Sequence, residues 1–232
     1  VSGHFRKAGA AFMFLEIKGL LNPAEVARLT ALSRELKFID GRISNPANPT
    51  KTNFQADIGD PKYQESSQIV ANAFAGSREF NDFCFPKRIA PPLMLRYDTT
   101  QKYGVHADAA FMQVPGGPLR SDISCTVFIA DPASYQGGEL TIHLGIKPIV
   151  IKGAPGDCIL YPSTTLHEVQ PVRSGVRVVS ITFIESLVAD ETKRNLLYEL
   201  NEVGALEGLN MKWENRVRFE AARNNLLRRW SA

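Results

Sequence analysis

The chain has 232 residues, with 27 lysines and arginines against 24 aspartates and glutamates, a net charge of +3, and 44% hydrophobic and 22% charged residues. This balance excludes a disordered chain and lacks the strong basic excess of a nucleic-acid binder. No stretch approaches the roughly 18 apolar residues of a membrane-spanning helix, so neither a nucleic-acid nor a membrane partner is expected. The length suits one β-rich domain or one domain with an appendage. Cys84, Cys125 and Cys158 are odd in number and show no disulfide framework, which reads as buried reduced thiols and a cytoplasmic setting.

Residues 1–9 read as a remnant of processing, because the chain starts at Val1 rather than Met, and His4 is uninformative there. The apolar stretch Gly9–Leu15 behind Arg6 and Lys7 has a faint signal-peptide look. No small-residue cleavage site follows and Glu16 interrupts it, so Phe12–Ile17 reads as a first strand. Asn22-Pro23-Ala24-Glu25 opens a helix: Asn can cap, Pro suits the first helical position and Glu the third. Val26, Leu29, Ser33 and Leu36 then share one face. Asn45–Thr50 is a loop by composition. Asp60-Pro61 opens a second helix, whose face carries Ile69, Val70, Ala73, Phe74, Ser77 and Phe80.

From about 88 to 186 the pattern changes to short strands: Ile89–Tyr97, Ile123–Ala130, Gly138–His143, Ile149–Lys152, Asp157–Tyr161 and Val176–Ile184. Pro/Gly turns separate them, which fits a sandwich, barrel or jelly roll. Helical spacing returns in 187–232, through Leu196, Leu197 and Leu200 and then Phe219, Ala222, Leu226, Leu227 and Trp230. The expected class is mixed α/β (α+β). Its division is residues 1–186 as one unit with N-terminal helices and 187–232 as a helical extension. That tail is the surface a homodimer would use.

Of four histidines, two carry chemistry. His106-Ala107-Asp108 puts an imidazole and a carboxylate at i and i+2, which in an extended segment leave the same face about 6–7 Å apart. His167 follows 61 residues later, after a turn-rich run. Two histidines and one carboxylate make a facial triad suited to a non-haem Fe(II) oxygenase. His143 falls on the polar face of its strand and reads as a surface residue. Arg177, ten residues after His167, is the sole charge between Arg173 and Glu185 in an apolar strand. Buried, it needs an anionic partner: a small dicarboxylate, or an intrachain pair with Glu139, Glu168 or Glu185.

These features resemble the Fe(II)- and 2-oxoglutarate-dependent dioxygenases, and within them the prolyl-4-hydroxylase-like PKHD-type hydroxylases. The resemblance rests on His106-Ala107-Asp108, His167 and Arg177. It extends through Asp40-Gly41-Arg42, Arg96-Tyr97, Arg120–Ser124, Tyr135–Leu140, Gly156-Asp157, Leu160–Ser163 and Asn225–Trp230. Four positions depart from the family pattern: Ala109 where Asn is usual, Phe183 where Trp is usual, His143 where an acid is common, and Thr52-Asn53-Phe54-Gln55 for an Asn-Asn-x-Gln stretch. They bear on the substrate and not on the reaction.

The resemblance implies a double-stranded β-helix (jelly roll) core, with a corner at Pro171. It implies Fe(II) held by His106, Asp108 and His167, and 2-oxoglutarate paired to Arg177 and touched by Tyr97. It further implies O2 as oxidant and L-ascorbate as reductant. Substrate contacts are expected from Tyr103, Arg120 and Asn53, with the loop at 45–50 and the segment Val114–Pro118 as lids that select the substrate. Prolyl residues, other side chains and free small molecules remain open as substrates. Two other classes compete: a metal-dependent hydrolase or isomerase on a jelly roll, since the same ligands suit zinc, and a non-catalytic binding module.

Overall fold

The computed structural model describes residues 13–232. His4, the Gly9–Phe12 part of the apolar stretch and the remnant at 1–9 lie outside the described residues. The first strand is Leu15–Ile17.

The N-terminal helices form where local chemistry places them. Asn22 caps α1 (Pro23–Glu35), its side chain accepting from the N–H groups of Ala24 and Glu25 while Glu25 accepts from the N–H of Asn22. This reciprocal box satisfies backbone donors that the first turn leaves free. Asp60 caps α2 (Pro61–Gly76) through the N–H of Lys62. The face drawn from Ile69 to Phe80 is not one helix. Ser77 is extended (φ −88°, ψ 112°), ends α2 and caps α3 (Arg78–Cys84) by accepting from the N–H of Phe80. The bend stacks Phe80 on Phe74 with ring centroids 4.5 Å apart, both fully buried.

Two antiparallel sheets follow. The larger runs in the order Leu15–Ile17, Cys158–Pro162, Ile123–Phe128, Arg177–Ser186, Leu93–Tyr97, Phe54–Ala56, Phe38–Asp40, with Pro86–Ile89 added along Arg177–Ser186. The smaller runs Lys147–Ile151, Leu140–Leu144, His167–Val169, Tyr103–His106. Two-stranded ribbons join Phe111–Val114 to Gly117–Arg120 and Gln136–Gly137 to Val172–Ser174. The expected strand Ile89–Tyr97 is split, because Pro91 and Pro92 offer no N–H to a ladder and interrupt it between Ile89 and Leu93. The Val114–Pro118 segment is the turn of a hairpin rather than a free lid, and Arg88 holds it by donating to the carbonyls of Gly117 and Pro118.

Period-two alternation gives the larger sheet two different faces. Ile123, Cys125 and Val127, with Met94, Cys158, Leu160, Val178 and Ile184, pack on the helices against Leu29, Leu32, Val70, Phe74 and Phe80. Their neighbours Leu95, Tyr97, Phe128, Ile159, Tyr161 and Val179 turn to the smaller sheet and meet Leu140, Ile142 and Val169. The three cysteines are free and buried, as the sequence leads one to expect. The C-terminal helices α4 (Glu191–Glu207) and α5 (Trp213–Trp230) join the helix-side core through Leu197, Tyr198, Leu226, Leu227 and Trp230. Tyr198 meets Phe83 edge-on, with centroids 5.2 Å apart. Among the described residues no helix is long and apolar enough to cross a membrane.

Candidate active site

Strand register brings the two histidines together. His106 ends Tyr103–His106 and His167 begins His167–Val169, and the two are direct cross-strand partners. Their ring centroids are 4.3 Å apart. Asp108, two residues past His106, lies between them: Oδ1 is 3.9 Å from Nε2 of His106 and Oδ2 is 3.7 Å from Nε2 of His167. One ligand atom from each residue falls within 4.8 Å of the others, a spacing that can hold a metal ion.

The surroundings of these groups are closed. Nδ1 of His106 is 2.7 Å from the carbonyl of Gly104, and Nδ1 of His167 is 2.9 Å from that of Thr165. A carbonyl only accepts, so each Nδ1 carries the proton and each Nε2 presents its lone pair inward. The pKa of His106 is lowered, first by burial and then by the charge of His167, which keeps that lone pair free. Ser124 Oγ donates to Oδ2 of Asp108, Ser163 Oγ lies 2.8 Å behind Ser124, and Ser121 Oγ donates to Ser163 at 2.9 Å. The N–H of Asp108 donates to the carbonyl of Ser163. Two imidazoles and a carboxylate, each oriented from behind, form a donor set that suits a divalent transition metal with free positions.

A cavity of about 380 Å³ opens on these ligands, within the range of small-molecule sites. Leu93, Leu95, Tyr97, Val179, Ile181 and Phe183 supply an apolar wall from two adjacent strands. Arg177 sits in that wall with only 1% of its surface exposed, directly opposite Tyr97 in register. Its guanidinium lies 5.0 Å from the centroid of the Tyr97 ring. Among the described residues, Nε and Nη1 have no hydrogen-bond partner. The intrachain alternatives are engaged or distant: Glu168 pairs with His143 at 3.1 Å, Glu185 faces Lys87 and Arg88, and Glu139 makes no ion pair with Arg177. Gly138 explains part of the burial, since a Cβ there would come within 2.9 Å of Cδ of Arg177. Burial pushes the Tyr97 phenol up to about 12 despite the attraction of Arg177, so it stays a neutral donor.

Of the expected substrate contacts, Tyr103 lines the cavity and stacks on His106 with centroids 3.6 Å apart, its hydroxyl accepting from Asn45 at 2.8 Å. Arg120 and Asn53 do not. Arg120 forks onto Asp122 at 2.8 and 2.9 Å and donates to the carbonyl of Ser186, tying the hairpin to the sheet. Asn53 is fully buried beneath Gly41, whose missing Cβ leaves room for it. Of the two expected lids only the first reaches the cavity, through Ser44, Asn45, Pro46 and Lys51, and no residue of 114–118 lines it. His143, expected at the surface, is half-buried, with Nε2 3.1 Å from Oε1 of Glu168. Sequence reasoning gave no role to Lys51 or to the Ser121–Ser163–Ser124 chain. Lys51 sits in a polar Asn/Pro/Thr segment that reads as solvated, and the serines are scattered along the chain.

Comparisons with known proteins agree with this geometry. Residues 92–185 match the 2OG-Fe(II) oxygenase superfamily model. A PKHD-type hydroxylase from Sphingopyxis alaskensis is 47% identical, covering 91% of this chain and 96% of that protein. The PKHD-type hydroxylase YbiX of Escherichia coli is 36% identical over 94% of this chain and 99% of that protein. In fold alone, the chain is similar to a prolyl hydroxylase from Trichoplax adhaerens, solved with a hypoxia-inducible-factor peptide. There the TM-score is 0.59 at 13% identity, covering 81% of this chain and 87% of that one. The metallohydrolase and the non-catalytic module therefore fall away: the chain belongs to the PKHD-type hydroxylases, Fe(II)- and 2-oxoglutarate-dependent dioxygenases.

Proposed function

We propose that His106, Asp108 and His167 hold the iron and that Arg177 seats the far carboxylate of 2-oxoglutarate, with Tyr97 beside it. The observation that carries this reading is Arg177: a buried cation with two unpaired donors, facing the same cavity as the three ligands. An unpaired charge there costs several kcal/mol until an anion arrives, and a carboxylate can take both donors of the planar fork at once. When bound, Fe(II), 2-oxoglutarate and O2 supply the oxidation, in which the cosubstrate becomes succinate and CO2 and one oxygen atom enters a C–H bond of the substrate.

The chain's own residues do the rest. The carbonyls of Gly104 and Thr165 keep both imidazoles in the ligating tautomer. Ser124 fixes the carboxylate plane of Asp108 and uses one of its lone pairs. The wall from Leu93 to Phe183 excludes water, which strengthens the pairing at Arg177 and suppresses turnover without substrate. Tyr97, neutral at physiological pH, donates a hydrogen bond to a carboxylate at Arg177. Tyr103 and the 44–51 loop form the substrate side.

The finer fold reading is a double-stranded β-helix (jelly roll), supported by the two facing antiparallel sheets and by Pro171 at the turn between His167–Val169 and Val172–Ser174. Residues 187–232 are proposed as an extension packed on that unit. Three buried free thiols support a cytoplasmic setting, and L-ascorbate is the proposed reductant. The substrate is a protein or peptide side chain, prolyl residues included, or a small molecule. A screen of peptides and metabolites with Fe(II), 2-oxoglutarate and ascorbate decides. The expected result is a product heavier by one oxygen, formed with one succinate per hydroxylation and lost when iron or 2-oxoglutarate is omitted. Succinate formation that does not depend on iron contradicts the proposal.

A further inference from the structure

Lys51 is the other buried cation of the cavity. It is 6% exposed and lines the same space as the three ligands and Arg177. An ammonium has three donors. Here one meets Ser44 Oγ, and the head group lies 4.9 Å from the centroid of the Tyr103 ring. Among the described residues no carboxylate comes within ion-pair distance of it. The two acids that attract it from farther off are Asp108 and Asp40. Asp40 is forked onto Arg42, and Asp108 faces the two histidines and Ser124. Neither is free to neutralise Lys51. A bound divalent metal would cancel the attraction of Asp108 altogether.

The position of this charge is specific. The Tyr103 ring touches both groups: the Lys51 ammonium lies 4.9 Å from its centroid and the His106 imidazole stacks on it at 3.6 Å. Lys51 and a proposed ligand of the reacting centre thus share one aromatic neighbour, with Lys51 on the loop that lines the cavity beside Ser44, Asn45 and Pro46. Arg177 is elsewhere, in the wall of the larger sheet beside Tyr97. A long flexible side chain held unpaired in such a place lacks a structural role, because a methionine would fill the same volume without the desolvation cost. We infer that Lys51 is a specificity-determining residue: it receives an anionic group of the substrate, a carboxylate or phosphate, and so anchors the molecule beside the Tyr103 face. The substrate class is therefore an acid, free or as part of a peptide. This rests on the iron and 2-oxoglutarate reading above for the identity of the reaction.

The test separates the two. The protein is loaded with Mn(II) and saturating 2-oxoglutarate, which occupies Arg177 and allows no turnover. Binding of N-acetyl amino acids, N-acetyl-O-phosphoserine amide and the matched neutral amides is then read by ligand-observed NMR. The wild type is expected to bind at least one anionic probe about tenfold or more tighter than its neutral partner. Lys51→Met and Lys51→Gln should erase the preference, Lys51→Arg should keep part of it, and all three should bind Mn(II) and 2-oxoglutarate as the wild type does. Equal affinity for acids and amides, a preference that survives in Lys51→Met, or no measurable binding of any anionic probe overturns the inference. Failure of 2-oxoglutarate to bind the Mn(II) protein instead overturns the functional reading beneath it.

Discussion

The two ends of the cavity are built on opposite principles. At the histidine end every inward-facing polar group is held from behind: both Nδ1 atoms meet carbonyls, and Asp108 rests on Ser124, Ser163 and Ser121. At the wall and the mouth, Arg177 keeps two donors unpaired and Lys51 has a single hydroxyl and a ring face. On the proposed reading a metal needs rigid, correctly oriented donors, so the protein itself holds each of them from behind. An organic anion brings its own acceptors, so its receptors are left incomplete and the folded state carries that cost until it binds. Under the proposed reading, closed polar groups hold the ion and open ones receive the organic anions.

Breaking the closed end gives the largest effect. His167→Ala should lose metal affinity by more than the about 10–100-fold that a group behind a ligand is worth, and turnover with it, as metal titration followed by succinate assay will show. Ser124→Ala leaves all three ligands but frees the carboxylate of Asp108. Mn(II) affinity should fall by about 10–100-fold while 2-oxoglutarate binding at saturating metal stays near the wild-type value. An unchanged metal affinity would mean the serine chain is only packing.

Lys51→Met sharpens the open side with the smallest change. Burial lowers the Lys51 pKa from its ordinary 10.5 to about 8. Below pH 8 the lysine is charged in both folded and unfolded states, so the folded protein carries the full penalty, which fades as pH rises toward 10.5. The metal-free variant should therefore be more stable than the wild type at pH 7, by about 1–3 kcal/mol. Its advantage should shrink between pH 8 and 10.5 in chemical denaturation. A variant less stable at pH 7 would show that Ser44 and Tyr103 satisfy the ammonium fully.

Much of the closed end is legible in the sequence because strand geometry is local. H-x-D in an extended segment places two ligands on one face, and the alternation of Ile123, Cys125, Val127 and Ile129 marks the helix-side face of the same sheet. Arg177 stands out as a lone charge in an apolar strand. What hides is whatever depends on the meeting of distant segments. The cross-strand register of His106 with His167 cannot be read from spacing, nor can the alignment of Ser121, Ser124 and Ser163 behind Asp108. Lys51 hides for a different reason: its loop is polar by composition, and only the fold buries it against Tyr103. Arg120 and Asn53 go the opposite way, since these polar residues instead tie a hairpin to the sheet and pack beneath Gly41. The single helix drawn through Ser77 fails because periodicity continues across a cap that reorients the chain.

The central claim is that Arg177 is left unpaired for 2-oxoglutarate, and one paired measurement on Arg177→Met addresses it directly. Calorimetry on the Mn(II)-loaded protein should show 2-oxoglutarate affinity falling by about 2–5 kcal/mol, while thermal unfolding of the metal-free protein shows a higher melting temperature than wild type. Unchanged 2-oxoglutarate affinity, or a metal-free variant that melts earlier, would contradict the account, because Arg177 would then be a structural residue and not the socket of the cosubstrate.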